Sequence, residues 1–382
     1  MTARSRMAIL AGRVIGGPGE TSRAARWLRP LALVHEFASH VRSTAYETGY
    51  LKSTRLPRPV ISVGNITMGG TGKTPIVAML AEFLRDQNFR VAILTRGYGR
   101  SSDERVVLRS GDGSLASDAA DRAGDEPALL SRDVPRVSVI VDSDRVSAGM
   151  WAVENEDPDV FLLDDGFQHL AIGRDLNLLV LDATDPFGGG YLAPGGRLRE
   201  PLQAIRRADA VIVTRCDRSF DSDAISRVVD AARSAETPIY YSYHDITGLR
   251  PLTPGHGTRT VASLRGKKVG VLTAIGNPGV FAEDLENVGL VVASRSLHAD
   301  HHSFRQQDFD TAARDALASG AEVLLTTEKD AVKLERLQLG AISTHAVRIG
   351  FRSEHEALIK SLCLKTILGF KASADTPPGE SS

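Results

Sequence analysis

The chain has the stretch Thr67-Met68-Gly69-Gly70-Thr71-Gly72-Lys73-Thr74-Pro75 directly after a short apolar run at residues 60–63, and a helical pattern follows at residues 76–84. A buried strand, a glycine-rich turn and a helix in this order are typical of a phosphate-binding P-loop. The glycines let backbone N–H groups turn towards phosphate oxygens, and the helix N-terminus adds partial positive charge. The stretch therefore predicts a domain that binds a nucleoside triphosphate.

The residues predicted to hold the triphosphate are Thr67, Met68, Gly69, Gly70, Thr71, Gly72, Lys73 and Thr74. Lys73 would reach the β- and γ-phosphates, and the Thr74 hydroxyl would ligate Mg²⁺. The strict G-x-x-x-x-G-K-[ST] pattern requires glycine where Thr67 stands. The shorter G-G-x-G-K-T form fits better, although proteins with that form usually carry lysine in place of Met68. The alternative is a glycine turn without a ligand.

Length and composition indicate a soluble globular protein with two domains. Its 382 residues suffice for two cores, and 42% apolar and 24% charged residues are ordinary values. A formal net charge of −1 argues against a nucleic-acid partner. Two cysteines, Cys216 and Cys363, are too few for a disulfide framework and favour a reducing cytoplasm. No apolar run is long enough to predict a transmembrane helix.

The N-terminal segment, residues 1–56, is basic and amphipathic. Residues 1–58 contain ten arginines and lysines against three acidic residues. An apolar helix face is predicted because these residues recur at helical spacing: Trp27, Leu31, Val34, Ala38 and Val41. Such a helix either lies in a membrane interface or packs on the protein, and the pattern alone leaves both open.

Further along the chain, apolar runs end in polar residues at 91–94, 137–141, 160–163, 176–181 and 210–213. Runs of this length and composition are typical of buried parallel strands. Ligands bind beyond the carboxyl ends of such strands, where these polar residues fall. We therefore predict an α/β fold whose core domain, residues 57–245, is a P-loop NTPase-type parallel sheet.

A second, smaller α/β domain is predicted for residues 246–371. Turn-forming residues concentrate at 243–260, which favours a linker there. Strand patterns at 269–272, 290–293 and 323–325 then alternate with helical patterns that begin near Val280 and Gln307. The tail at 372–382 contains two prolines and three serines and is expected to be disordered.

Two acidic pairs stand where phosphate chemistry would use them. Asp164 and Asp165 follow the strand pattern at 160–163, the position of a Walker B carboxylate that holds Mg²⁺. Asp125 and Glu126 precede a helical pattern. A carboxylate beside a triphosphate can deprotonate an acceptor hydroxyl, whereas a structural Asp125 would cap the helix. The predicted Mg²⁺ ligands are Thr74, Asp164, Asp165 and Glu126.

A third group of titratable residues comprises His298, Asp300, His301 and His302. Its density leaves three interpretations open: a metal site, a general-base relay or a solvated loop.

Taken in order, several of these segments resemble one known family, the tetraacyldisaccharide 4′-kinases. The similar segments are Val63–Pro75, Arg96–Arg100, Gly124–Pro127, Asp164–His169, Leu192–Glu200, Gly276–Pro278, Asp300–Phe304 and Thr327–Lys333. The matches run from about residue 57 to residue 333. The P-loop and the Asp-Asp-Gly-Phe-Gln-His segment are far more specific together than either is alone.

The resemblance implies an ATP- and Mg²⁺-dependent kinase of lipid A synthesis. It would transfer the γ-phosphate to the 4′-hydroxyl of tetraacyldisaccharide 1-phosphate, giving lipid IVA. The resemblance also implies a peripheral protein on the cytoplasmic face of the bacterial inner membrane, which favours the membrane interpretation of the basic helix. Its expected partners are ATP and the lipid substrate in the membrane, with no obligate protein partner.

The same resemblance implies roles for individual residues. Asp125 would be the general base, His301 would orient it, and Lys73 would neutralise the triphosphate. The implied contacts with nucleotide or sugar-phosphate are Tyr98, Arg145, Gln168, His169, Arg199 and Glu200.

Two other functions fit parts of the sequence. A membrane-associated NTPase switch or metallochaperone would use the same P-loop, but Met68 replaces its signature lysine. A metal-dependent phosphoesterase would use residues 300–302 and would leave the P-loop without a purpose.

Overall fold

The computed structural model describes residues 28–98, 100, 103–111, 118–218, 220–253, 259–300, 302–340 and 342–375. The predictions for residues 1–27, including Trp27, and for most of the tail lie outside the described residues, and so does His301.

The larger sheet contains β1 (Val60–Gly64), β2 (Val91–Thr95), β3 (Val106–Arg109), β4 (Ser138–Val141), β5 (Val160–Asp164), β6 (Leu176–Asp182), β7 (Ala210–Thr214) and β8 (Ile239–Tyr241). Their order across the sheet is β3-β4-β2-β5-β1-β6-β7-β8, and every neighbouring pair is parallel except β3 with β4. Strands β1, β2, β5, β6 and β7 are buried along their whole length, as their continuous apolar runs predict.

The helices that accompany this sheet are α1 (Arg29–Glu47), α2 (Lys73–Asp86), α3 (Ala119–Ala123), α4 (Asp125–Asp133), α5 (Arg145–Asn155) and α6 (Ser222–Ser234), with a 3₁₀ turn at Leu202–Arg207. Helix α2 buries Ile76, Leu80 and Leu84, spaced by four residues, in the same core as β1. The P-loop is therefore anchored by a buried strand before it and a packed helix after it.

The smaller sheet contains β9 (Tyr243–Pro251), β10 (Lys268–Thr273), β11 (Val291–Leu297), β12 (Val323–Thr327) and β13 (Thr344–Arg352). Its order is β11-β10-β12-β13-β9, and only β9 is antiparallel to its neighbour. The accompanying helices are α7 (Pro278–Asn287), α8 (Gln306–Ala318) and α9 (Glu328–Leu334). Two apolar clusters, separate from the core of β1, fill this part.

Strand β9 corrects the predicted linker. Residues 243–251 form the edge strand of the smaller sheet and pair with β13 over their whole length. Gly248 and Pro251 favoured a linker, but an edge strand tolerates both residues because one of its sides is unpaired. The smaller sheet therefore begins at Tyr243, before the predicted boundary at residue 246.

The last helix, α10 (Glu356–Asp375), returns to the larger sheet. Its Ile359, Cys363 and Ile367 are buried in the same core as β1 and α2. The predicted limits of the smaller domain, 246–371, include most of this segment, and the predicted tail begins at residue 372. Both boundaries are wrong. The apolar residues of α10, spaced by four, face the core of the larger domain, and the helix continues past residue 372 to Asp375.

Helix α1 packs on the larger domain through a narrow contact. Ala32 is buried, His35 Nδ1 lies 2.7 Å from the carbonyl oxygen of Ala193, and the Arg42 guanidinium donates to the carbonyl of Gln168 at 3.1 Å. The large apolar side chains of the helix are exposed: Leu31, Leu33, Val34, Phe37 and Val41. Among the described helices, none combines the length and apolar character needed to cross a bilayer.

Candidate active site

The P-loop begins at the carboxyl end of β1, in the middle of the larger sheet. Gly72 precedes α2 with φ +84, a left-handed conformation that glycine adopts without strain. Asn65 Nδ2 donates to Thr71 Oγ1 at 3.0 Å, and Thr214 Oγ1 donates to the Thr71 carbonyl at 2.9 Å. Because both bonds are buried, the loop is held from β1 on one side and from β7 on the other.

The first part of the loop pairs with the segment at 197–199. The Met68 N–H donates to the Arg197 carbonyl at 2.7 Å, and the Arg199 N–H donates to the Ile66 carbonyl at 2.7 Å. Thr67 is buried in this bridge, whereas the Met68 side chain is partly exposed. The loop therefore reaches Lys73, the first residue of α2, with its backbone fixed on three sides.

Asp165 is paired with two cations. Lys73 Nζ lies 3.4 Å from Asp165 Oδ1, and the Arg199 guanidinium donates to Asp165 Oδ2 at 2.7 Å. Burial alone would raise the pKa of Asp165, but Lys73 and Arg199 outweigh it and hold that pKa well below its usual range. Asp165 is therefore a charged carboxylate.

Asp164, its neighbour, lies in the opposite electrostatic environment. It accepts a hydrogen bond from Thr95 Oγ1 at 3.0 Å and forms no ion pair with a described residue. Burial first, and then the charges of Glu126 and Asp165, raise the pKa of Asp164 to about 7. A cation beside Asp164 would remove this penalty, and hard oxygen donors are the ligands that Mg²⁺ prefers. Of the predicted metal ligands, Asp164 therefore has the environment that a magnesium ion would suit.

Arg145 and Gln168 lie behind this acidic pair. The Arg145 guanidinium donates to the backbone carbonyls of Asp165 at 3.1 Å and Asp164 at 3.4 Å. Gln168 Nε2 donates to the Asn65 carbonyl at 2.7 Å, and its Oε1 accepts from Arg199 at 3.3 Å. Both side chains thus support the backbone around the site.

His169 and Glu200 complete the predicted contact residues on this side. Burial, followed by the charge of Arg145, lowers the pKa of His169 to about 4, so its imidazole is neutral at neutral pH. Glu200 is buried and paired with Arg207, whose guanidinium lies 4.8 Å from the centre of the Phe167 ring. Glu200 therefore has a structural role, because its partner Arg207 packs against Phe167 within the segment 164–169.

Asp125 lies at the boundary between the two sheets. The N-cap of α4 is Gly124, so the capping alternative does not describe Asp125. Lys333 Nζ, on α9, lies 2.8 Å from Asp125 Oδ2. Lys329 Nζ, one turn earlier on α9, lies 3.8 Å from Glu126 Oε1 and 3.4 Å from Asp300 Oδ1. The start of α4 therefore faces α9 of the smaller domain.

A buried ion cluster fixes the same boundary. Glu328 on α9 accepts from the guanidinium of Arg132 on α4 at 2.8 Å, from that of Arg250 on β9 at 2.8 Å and from that of Arg348 on β13 at 3.3 Å. No local pattern in the sequence predicts a role for Glu328, Lys329 or Lys333. Their segment, Thr327–Lys333, was only one of the family-like motifs.

Tyr98 and the histidine cluster lie around this boundary. The Tyr98 carbonyl is within 2.9 Å of where a side chain at Gly124 would begin, so residues 97–98 contact the start of α4. His298 and His302 stack with ring centres 4.6 Å apart, and His302 Nε2 lies 3.0 Å from Asp308 Oδ2. Asp300 contacts Lys329 and thus lies towards α4.

Three features define a nucleoside-triphosphate-dependent phosphotransferase. The P-loop follows the central strand of a parallel sheet, an acidic pair follows the adjacent strand, and a second domain faces a further carboxylate. The sequence profile of the family tetraacyldisaccharide-1-P 4′-kinase (LpxK) matches residues 24–365. The chain belongs to this family.

Individual relatives agree with this assignment. The chain is 43% identical over 312 residues to the tetraacyldisaccharide 4′-kinase of Pelobacter propionicus, covering 81% of this chain and 83% of that protein. It is 40% identical over 326 residues to that of Geobacter sulfurreducens, covering 84% and 89%. The crystal structure of LpxK from Aquifex aeolicus in complex with ATP superposes with a TM-score of 0.71 at 32% identity, covering 90% of this chain and 99% of that one.

The predicted fold class, family and enzyme class are confirmed. The chain is an ATP-dependent kinase of lipid A synthesis with a P-loop NTPase-type parallel sheet. The NTPase-switch and phosphoesterase alternatives do not describe this family.

Proposed function

We propose that this chain transfers the γ-phosphate of ATP to the 4′-hydroxyl of tetraacyldisaccharide 1-phosphate through the residues described above. One observation carries the assignment of these residues. Thr95, at the end of β2, donates to Asp164 at 3.0 Å, and residues 97–98 just beyond it contact Gly124, so the candidate base Asp125 borders the P-loop site. An acceptor hydroxyl at Asp125 would therefore lie beside the triphosphate.

The triphosphate would be held by the P-loop backbone and by Lys73. Lys73 pairs with Asp165 at 3.4 Å, and Arg199 keeps Asp165 neutralised when the lysine turns to phosphate oxygens. We propose Asp164 and the Thr74 hydroxyl as the main Mg²⁺ ligands, because Asp164 has no cationic partner among the described residues whereas Asp165 has two. Magnesium, when bound, supplies charge neutralisation at the transferring phosphoryl group.

Asp125 would accept the proton of the 4′-hydroxyl while the hydroxyl oxygen forms its bond to the γ-phosphorus. The bond from that phosphorus to the bridging oxygen breaks, and ADP leaves with the electron pair. Lys333 holds the Asp125 carboxylate at 2.8 Å and ties its position to the smaller domain. His301, outside the described residues, stays the proposed orienting partner. Tyr98 and His169 stay proposed contacts to the nucleotide or the sugar-phosphate.

The substrate carries four acyl chains, so the kinase must meet it at a membrane surface. Helix α1 presents Leu33, Val34 and Phe37 to solvent at 66%, 66% and 71% exposure. An exposed apolar helix face next to basic residues such as Arg42 supports peripheral docking on the cytoplasmic face of the inner membrane.

Phosphate transfer from labelled ATP to tetraacyldisaccharide 1-phosphate in mixed micelles tests the reaction. Lys73→Ala and Asp125→Asn should each lower turnover by roughly 10²-fold or more. Lys268→Ala, at an exposed lysine at the start of β10, is the matched control and should leave turnover unchanged. Lipid-independent ATP hydrolysis without a lipid product would contradict the proposal.

Sedimentation with phospholipid vesicles tests the docking helix. The double variant Val34→Ser/Phe37→Ser should bind vesicles about tenfold more weakly, since each side chain loses apolar area that enters the interface. Glu36→Ser and His40→Ser change exposed polar residues of the same helix and should retain binding. Unchanged binding of the double variant would remove α1 as the docking element.

A further inference from the structure

A polar cavity of about 570 Å³ lies at the amino ends of the strands of the larger sheet, opposite the P-loop. Its position follows from Asp175, whose carboxylate accepts from the N–H of Val60, the first residue of β1, at 2.9 Å. The P-loop follows the last residue of the same strand. The volume lies in the range of about 300–1,000 Å³ that is typical of small-ligand pockets.

The cavity walls come from three parts of the chain. Arg55 belongs to the segment after α1, Arg174 and Asp175 precede β6, and Lys365 lies on α10 together with Thr366 and Phe370. The segment after α1 is pinned by the Gly173 N–H, which donates to the Thr54 carbonyl at 2.9 Å. Helix α10 is fixed by its buried core residues. The cationic side chains are therefore carried by rigid backbone.

The cavity wall carries three cationic side chains against one carboxylate, Asp175, and Glu200 and Asp209 also act on the charge of Arg174. Among the described residues, neither Arg55 nor Arg174 nor Lys365 forms an ion pair. Arg174 is partly buried and donates to the Phe167 carbonyl at 3.1 Å. Burial first, and then the charge of Arg207, lower the pKa of Arg174 to about 10, so the guanidinium stays charged at neutral pH. The one carboxylate in the wall, Asp175, already accepts from Val60.

We propose that this cavity binds a phosphate-bearing anion at a site separate from the P-loop. Guanidinium and ammonium groups donate charge-assisted hydrogen bonds to phosphate oxygens, and an anion would balance the excess of cationic side chains in the wall. Two sources share this chemistry: the headgroup of an anionic phospholipid and a soluble phosphate. The headgroup source is favoured because Arg55 lies eight residues beyond Glu47, the end of the helix with the exposed apolar face.

Isothermal titration calorimetry on the full chain tests the site with three probes. They are dihexanoyl phosphatidylglycerol below its micelle concentration, dihexanoyl phosphatidylcholine and inorganic phosphate. Arg55→Glu and Lys365→Glu, on opposite walls, should each weaken anion binding at least about tenfold. Arg314→Glu makes the same charge change at an exposed arginine of α8 and should bind like wild type. Inorganic phosphate that binds at the P-loop contributes equally in wild type and all variants, so it does not affect the comparison between them.

Phosphatidylglycerol binding that both wall variants lose, with weak phosphatidylcholine binding, supports the site and the headgroup source. Inorganic phosphate binding that both variants lose supports the site with a soluble source. Either of two results would overturn the proposal. The first is that wild type and both wall variants bind phosphatidylglycerol and inorganic phosphate equally well. The second is that wild type binds the two lipids equally well and does not bind inorganic phosphate. Turnover with saturating lipid in micelles should change little in these variants, which separates this site from the active site.

Discussion

Replacing Asp164 by asparagine should stabilise the metal-free protein, although Asp164 is a proposed magnesium ligand. The pKa of this buried carboxyl is about 7, against an ordinary value of 3.8. The folded protein therefore binds the proton of Asp164 more tightly than the unfolded chain does. The contribution of this proton to the free energy of unfolding is full below the unfolded-state pKa and is lost as pH rises through about 7. At 1.36 kcal/mol per pKa unit this amounts to about 4 kcal/mol, of which about 2 kcal/mol falls between about pH 5.5 and 8.5.

Denaturant unfolding of wild type and Asp164→Asn in EDTA, at about pH 5.5 and 8.5, measures this effect. Asparagine can still accept from Thr95, so the substitution removes the charge and keeps the hydrogen bond. The difference in unfolding free energy should shift by about 2 kcal/mol in favour of the variant at the higher pH. Magnesium should then stabilise wild type more than the variant, because only the wild-type carboxylate is a strong ligand.

Asp165→Asn is the matched control, because the neighbouring carboxylate has the opposite electrostatics. Lys73 and Arg199 hold the pKa of Asp165 below its usual range despite burial. Its contribution to stability is therefore present above the unfolded-state pKa and is lost only as pH falls. Asp165→Asn should be less stable than wild type at both pH values. Two results would refute the reasoning. One is a difference in unfolding free energy between wild type and Asp164→Asn that is the same at both pH values. The other is a change of stability in the same direction in both variants.

Three further outcomes are expected. Glu328→Gln should lower the free energy of unfolding by about 1–3 kcal/mol in denaturant titrations, because Arg132 and Arg250 then keep only the partly exposed Glu335 as a carboxylate partner. Gly72→Ala should weaken ATP binding at least about tenfold by calorimetry, since its Cβ would lie 2.6 Å from His244 Nε2; Gly49→Ala, also at positive φ but in open space, should not. Burial raises the pKa of Cys363 to about 12, so iodoacetamide should modify it only after unfolding, and rapid native modification detected by mass spectrometry would contradict the burial.

Local patterns were sufficient to predict the centre of the fold. Strands β1 and β5 are short, buried on both faces and followed by the P-loop and the acidic pair, so apolar runs and motif order identify them. Strand β9 was missed because its residues alternate between partly buried and exposed and include turn formers. Its pairing depends on β13, about a hundred residues away in sequence, which no local pattern reveals.

The candidate site was predictable in its residues but not in its charge balance. The two aspartates at 164 and 165 are chemically identical in the sequence, and only the fold places Lys73 and Arg199 beside one of them. The contact of Lys333 with Asp125 likewise joins residues more than 200 positions apart. Such electrostatic differences arise from burial and long-range contacts, which sequence spacing does not encode.

The return of α10 to the larger sheet sets an order of events during synthesis on the ribosome. All five strands of the smaller sheet lie between residues 243 and 352, so this sheet is complete before α10 emerges. The core around β1 lacks Ile359, Cys363 and Ile367 until the last helix has left the exit tunnel. Domains of a nascent chain usually fold in the order of synthesis. In this kinase the half that is made first must wait for α10, with part of its apolar surface still open to chaperones.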